Sequence, residues 1–290
     1  MNRIVLVTGA LGNVGTPVVQ GLLERGATVR AADIAVDPLR ERFGAAVEAV
    51  HLDLTDPATF GPVLDGVERL FLIRPPAISR VGPTLNAFID VAAERGVEHV
   101  VFSSVAGAES NRIVPHHRVE THLLASGLGW TMLRPGFFTQ NIGSAYRRDI
   151  VEDDRVYVPA AGGLVAFIDT RDLGEAAAIV LTGEGHAGKG YHLTGPEAIT
   201  FEQLSDILSD VLERAIRYEP AGILSYLRHL RQQGLVLPQA VVQTILHTGL
   251  RRGDAEAVTD ELPRLLGRPA RSVREYVTDH AELWARPASD

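Results

Sequence analysis

The chain has no cysteine, one lysine (Lys189) and only two tryptophans among 290 residues. Without cysteine there can be no disulfide, no thiolate nucleophile and no Cys-ligated zinc, so any metal site would have to be built from histidines and carboxylates. His116, His117 and His122 do not have metal-ligand spacing, since His122 lies five residues beyond His117 and no carboxylate is suitably placed beside them. No apolar run approaches the ~20 residues needed to cross a bilayer. Met1-Asn2-Arg3 leads directly into Ile4-Val5-Leu6-Val7, leaving no room for a signal peptide, so a cytoplasmic protein without a membrane partner is expected. A net charge of −8 argues against nucleic acid, whose binding draws on clustered Lys and Arg. The locally basic Arg251-Arg252 and 264–274 stretches read as solvated helix faces.

What is present is a regular alternation. Short β-branched apolar runs (4–8, 28–33, 47–52, 69–73, 97–103, 130–134) interleave with amphipathic stretches (14–24, 37–43, 57–64, 81–94, 117–125), the pattern of a parallel sheet covered by helices on both faces. Within 81–94, Val81, Leu85, Phe88, Ile89 and Ala92 fall on one helical face. Asp56-Pro57 reads as a helix start, and Thr200 with Gln203 as a capping box. Beyond Gly136 the order loosens to strands at 155–159 and 190–193, helices at 171–181 and 201–212, and a helical tail of about 70 residues. The expected architecture is α/β, a Rossmann-type doubly wound parallel sheet with a smaller, mostly helical C-terminal substrate domain. The sheet domain would comprise 1–135, completed by 167–195, and the substrate subdomain 136–166 and 196–290.

The most specific signal follows the first strand. Gly9, Gly12 and Gly15 are spaced G-x-x-G-x-x-G between a strand and a helix, where the backbone must turn sharply and approach a pyrophosphate without a Cβ in the way. The helix start beyond offers N–H groups and a positive dipole end. Gly9, Leu11, Gly12, Asn13, Val14 and Gly15 are therefore the expected dinucleotide cradle. Asp33 ends the second strand 18 residues beyond Gly15, placed to accept hydrogen bonds from the adenosine ribose and to repel a 2′-phosphate. NAD(H) is thus favoured, with NADP(H) possible if Arg30 or Arg40 serves as a phosphate clamp. Asp53 and Leu54 close the third strand and either flank the adenine or, in the case of Asp53, form a turn or cap.

Taken together with this loop, Phe71-Leu72-Ile73-Arg74-Pro75-Pro76, Val101-Phe102-Ser103-Ser104 and the stretch from Val119-Glu120 through Ser126-Gly127-Leu128 to Leu133-Arg134-Pro135-Gly136 resemble the NmrA-like group of atypical short-chain dehydrogenase/reductases. Segments 167–172, 191–197 and 267–280 are similar to the same group's C-terminal half, so the likeness runs through nearly the whole chain. It implies a dinucleotide site to which Arg74, Ser103, Ser104, Pro135 and Gly136 contribute, the last four bordering the nicotinamide or the substrate. It leaves the substrate open, because the group holds quinone, dye and ketone reductases as well as redox-sensing regulators.

Short-chain dehydrogenases usually protonate the substrate oxygen through a Tyr-x-x-x-Lys pair. Lys189 has Gly185 four residues before it, and no tyrosine here is followed by lysine at that spacing, so the pair is absent. At the helix start after the fifth strand stand His116 and His117, of a residue type able to donate a proton to a developing oxyanion, and Arg118, which could stabilise the charge; Ser104 is a further donor. Neither Ser103 nor Ser104 lies in a G-x-S-x-G elbow, which argues against a nucleophilic serine. Phe137, Phe138, Gln140, Asn141, Tyr146, Leu224 and Tyr226 mix aromatic, aliphatic and amide groups as pocket linings do. The expectation is a reductase passing hydride to a bulky aromatic ketone or quinone, acting as a monomer or homodimer. A non-catalytic sensor of dinucleotide redox state that binds a protein partner is the alternative.

Overall fold

The computed structural model describes residues 3–286. Its strands, in chain order, are β1 (Ile4–Thr8), β2 (Thr28–Asp33), β3 (Glu48–His51), β4 (Val67–Ile73), β5 (His99–Ser103), β6 (Gly129–Pro135), β7 (Phe137–Phe138), β8 (Arg155–Val158), β9 (Phe167–Ile168), β10 (Lys189–Leu193) and β11 (Arg217–Pro220). Seven of them form one sheet in the order β10-β6-β5-β4-β1-β2-β3, with every neighbouring pair parallel. This is the Rossmann order extended by one strand, and chain order reverses between β1 and β4.

The chain divides into two compact units, the first made of residues up to Pro135, Thr170–Leu193 and Glu261–Arg268, the second of Gly136–Asp169, Thr194–Asp260 and the remainder from Pro269. The sequence reading gave all of 196–290 to the second unit. Instead, helix Glu261–Leu266 belongs to the first, where the Glu261 carboxylate accepts from the backbone N–H of His192 on β10. Helix Thr170–Thr182 packs against helix Gly15–Glu24, the element that opens at the glycine loop. The approach is close because Gly174 faces Pro17, where a Cβ would fall 2.4 Å from the proline Cβ.

One core of the first unit gathers Leu6, Leu70, Leu72, Phe88, Ile89, Val100, Phe102 and Met132. The amphipathic stretch at 81–94 buries all five residues expected on its inner face, although its first turn, Gly82–Asn86, is a π-turn. Pro83 stands in this first turn, where the missing N–H costs the helix nothing. In the second unit, β8 pairs with β11, β7 pairs with β9, and helices surround a core containing Tyr146, Phe201, Tyr226, Tyr276 and Trp284. Capping boxes start its helices Phe201–Leu212, with Thr200 and Gln203, and Val273–Asp279, with Ser272 and Glu275.

Candidate dinucleotide site

The glycine loop is built at the point where chain order reverses. Thr8 ties β1 to β4 there, its hydroxyl donating to the Phe71 carbonyl (3.2 Å) and accepting from the Ile73 N–H (3.1 Å). Gly9 then takes a left-handed conformation (φ +61°), and a side chain on it would come within 2.9 Å of the Ile73 methyl. At Gly15 a Cβ would lie 2.1 Å from the Gly9 carbonyl oxygen, an impossible contact, so the loop closes only with glycine there. Helix Gly15–Glu24 begins with no side-chain cap and no acidic residue in its first turn. A helix start of that kind attracts anionic oxygen, and the space kept clear of Cβ atoms lets a phosphate come up to the backbone. The loop therefore fits a dinucleotide pyrophosphate.

Asp33 stands at the end of β2, half-buried, and its carboxylate also holds the loop in place. Oδ2 accepts from the Leu11 N–H (3.1 Å) and Oδ1 from the Ile34 N–H (2.8 Å). Arg42, which sequence reasoning passed over, donates to the Thr16 hydroxyl (2.9 Å), and Thr16 in turn donates to the Ala10 carbonyl. The two arginines considered as phosphate clamps are engaged elsewhere. Arg30 is buried, with Nε on Glu48 (2.8 Å), its cross-strand neighbour on β3, and Nη1 on the Val63 and Asp65 carbonyls. Arg40 pairs with Asp37 within one turn of its own helix. Asp53 accepts from the backbone and hydroxyl of Thr55, which hold its carboxyl below the usual range; Leu54 beside it is buried.

Beyond β4, Arg74 folds back on its own loop, donating to the carbonyls of Pro75, Pro76 and Ile78, and its Nε donates to His116 Nε2 (3.2 Å). Burial, and then the Arg74 cation, push the His116 pKa down to about 3. That imidazole is neutral at physiological pH, with its proton on Nδ1. His117, the next residue, is half-buried and has Nδ1 2.7 Å from the Ala108 carbonyl. A carbonyl only accepts, so Nδ1 carries the hydrogen and Nε2 is the basic nitrogen, which delivers a proton only from the imidazolium.

Ser104 is buried and donates to Glu120 Oε1 (2.6 Å); Glu120 is buried too and takes Arg134 Nε at 3.0 Å on Oε1 and Nη2 at 2.8 Å on Oε2. Arg134 also faces Glu109, and its pKa is raised, chiefly by the Glu120 hydrogen bond. The Glu and Arg of the E…LRP stretch thus meet in space, joining helix Pro115–Ala125 to β6, and the Ser104 proton is committed to that network. A glutamate in line with buried Val119 and Leu123 was the available sequence signal for it. Ser103 and Pro135 are buried at the ends of β5 and β6.

In the second unit, Phe137 and Phe138 are half-buried on β7, and Gln140 donates to Asp169 (2.9 Å). Asn141 is half-buried on the short helix Gln140–Gly143. Tyr146 and Tyr226, expected from sequence to meet a substrate, are core side chains instead. The Tyr146 hydroxyl donates to His247 Nε2 (2.6 Å), whose Nδ1–H donates to the Gln243 carbonyl, and Tyr226 accepts from the Gln243 amide. Burial raises the Tyr146 pKa and lowers that of His247 to about 4. Leu224 is the opposite case, 81% exposed. Among the described residues no group of three or more histidines and carboxylates could hold a metal ion.

Residues 1–282 match the NmrA-like family. Among curated relatives, an NAD(P)H azoreductase of Xenophilus azovorans is 30% identical over 282 residues, covering 96% of this chain and 98% of the relative. Among solved structures, the triphenylmethane reductase of Citrobacter sp. complexed with NADP(H) superposes with a TM-score of 0.87 at 26% identity, covering 96% of this chain and 99% of that one. The NADPH-dependent quinone oxidoreductase QOR2 of Escherichia coli, complexed with NADPH, gives a TM-score of 0.87 at 25% identity with the same coverage.

Proposed function

The chain belongs to the NmrA-like family, and we propose that within it the protein is an NAD(P)H-dependent oxidoreductase that passes hydride to a bulky, flat ketone or quinone without a Tyr-x-x-x-Lys pair. The observation that carries this reading is the glycine cradle at the head of β1, kept clear of Cβ atoms at Gly9 and Gly15 and opening onto an uncapped helix. Reductases of azo, triphenylmethane and quinone compounds among its relatives support it. Bound in reduced form, the nicotinamide supplies the hydride. The residues of this chain do the rest: the loop from Gly9 to Gly15 takes the pyrophosphate, Asp33 the adenosine ribose, and Phe137, Phe138, Gln140 and Asn141 the substrate.

At the adenosine end two charges pull in opposite directions. Asp33 repels a 2′-phosphate, although two backbone amides already draw on its carboxylate, whereas Arg42 offers a phosphate a guanidinium. The related structures carrying NADP(H) or NADPH add weight to NADP(H). The proton comes from His117 as imidazolium through Nε2, since the Ser104 hydroxyl is held by Glu120 and His116 is neutral.

The test is steady-state oxidation of NADPH and NADH over a panel of quinones, azo dyes and polycyclic ketones, with His117→Phe beside the wild type. Turnover with at least one class is expected, falling ~10²–10⁴-fold in the variant while dinucleotide affinity is kept. No turnover with any compound, together with unequal affinity for oxidised and reduced dinucleotide, would replace this reading with the redox sensor.

A further inference from the structure

Helices Ile223–Gln232 and Leu237–Gly249 lie side by side in the second unit, joined by the short loop Gln233–Val236 and bridged by the Gln243 to Tyr226 hydrogen bond. Their inner faces supply Tyr226, Leu230, Ala240, Thr244 and His247. A surface helix normally turns charged and polar residues to water. Helix Leu237–Gly249 turns out Val242 (57% exposed), Ile245 (61%) and Leu246 (57%), and the loop tip adds Val236 and Leu237. A contiguous apolar face of this kind marks an interaction surface.

Charge identifies the partner. From Pro220 to Gly253 the sequence has no aspartate or glutamate, although the whole chain carries 36 of them, and the same stretch holds Arg228, Arg231, Arg251 and Arg252. Arg228 and Arg231 are exposed on the first helix of the pair, and Arg231 also braces the loop tip by donating to the Leu235 carbonyl. Isologous pairing with a second copy would bring these arginines together with no acidic side chain in the segment to answer them.

An anionic lipid surface answers both features, taking the apolar residues below its headgroups and the arginines at its phosphates. We propose that this helix pair is a docking surface for anionic phospholipid membranes, lying in the plane of the interface. No helix among the described residues is long and apolar enough to cross a bilayer, which bears on spanning a membrane and not on lying at its surface. The overall charge of −8 does not oppose docking, because charges more than about 10 Å from the surface are screened at ordinary salt. The inference is independent of the reductase reading, and activity is not its readout.

The experiment is co-sedimentation of the full chain with vesicles of phosphatidylcholine alone or with about a third phosphatidylserine, at ~0.1 M and ~0.5 M salt. The wild type should partition at least about tenfold better onto the anionic vesicles, an advantage that shrinks at the higher salt. Arg228→Gln with Arg231→Gln should lose roughly 25-fold, about fivefold for each charge. Val242→Ser with Leu246→Ser should weaken partitioning about tenfold or more. All four positions are exposed, so far-ultraviolet circular dichroism and dinucleotide binding should match the wild type. Absence of partitioning, or partitioning that neither pair of substitutions alters, overturns the proposal. So does a concentration-dependent dimer, seen by light scattering and abolished by Leu246→Glu, in a protein that ignores vesicles.

Discussion

At Gly15 the smallest possible side chain is already too large, since a methyl group would overlap the Gly9 carbonyl oxygen. Gly15→Ala must therefore open the turn, withdrawing the helix start from the phosphate and straining the fold. Dinucleotide affinity measured by fluorescence titration should fall at least tenfold, and stability by about 1–3 kcal/mol. Asp33 and Arg42 make a reciprocal pair of tests. Asp33→Ser should raise the kcat/KM ratio of NADPH to NADH, and Arg42→Ala should lower it, by roughly tenfold each as expected for one surface charge near a phosphate. Loss of affinity for both cofactors in Asp33→Ser would mean that the hydrogen bond to Leu11 matters more than the charge. Buried His247 gives a prediction with a definite sign. Its pKa falls from 6.5 in the unfolded chain to about 4 in the folded one, so the stability it contributes is complete above pH ~6.5 and is lost as pH falls toward 4. By denaturant unfolding, the wild type should lose on the order of 2 kcal/mol more stability between pH ~7.5 and ~5 than His247→Leu does. His116, held down by burial and by Arg74, loses its contribution in the same direction between pH 6.5 and about 3.

Among the elements, the helix from Pro115 to Ala125 is held to β6 by charge as well as by packing. Glu120 is nearly fully buried, and Arg134 satisfies both its oxygens. Removing one partner leaves a charge in a poorly solvated place, so Glu120→Gln or Arg134→Met alone should cost about 3–5 kcal/mol. The double replacement should recover part of that loss, which chemical denaturation of all four proteins would reveal as a coupling energy. Such elements were readable from sequence because their patterns are local: alternating runs gave the sheet strands to within one or two residues, and apolar spacing gave the inner face of 81–94. What was not readable depends on partners distant in sequence. Arg30 looked like a phosphate clamp, but its fate was set by Glu48, Val63 and Asp65, which only the folded sheet brings to it. Tyr146 and Tyr226 carried the composition of a pocket lining, yet aromatic and amide residues serve a core equally well once His247 and Gln243 supply their hydrogen bonds. The two-residue strands β7 and β9 escaped because a period of two cannot show itself in two residues.

In the molecule as a whole, the first unit is assembled from three separated stretches of chain, and each later stretch completes something the first 135 residues leave open. Strand β10 pairs with β6 along its full length and so covers an edge that would otherwise present bare N–H and C=O groups. Helix Thr170–Thr182 buries the outer side of the glycine-loop helix, with Gly174 set against Pro17. The third stretch brings Arg268, which donates to buried Asp172 (2.7 Å) on that same helix, and to Glu175. The dinucleotide site, encoded almost wholly before Pro135, should therefore depend on residues far beyond it. A fragment ending at Pro135 should show no cooperative thermal transition and should aggregate through its open edge. The full chain carrying Arg268→Met keeps the sheet and the second unit's core but takes the guanidinium away from Asp172. It should unfold cooperatively with a lower Tm, and NADPH should bind it more weakly, because the helix losing support is the one packed against the helix that begins at Gly15. Differential scanning calorimetry with and without dinucleotide distinguishes the fragment from the variant. A cooperative, dinucleotide-stabilised transition in the fragment ending at Pro135 would show that the later stretches only decorate a unit already complete without them.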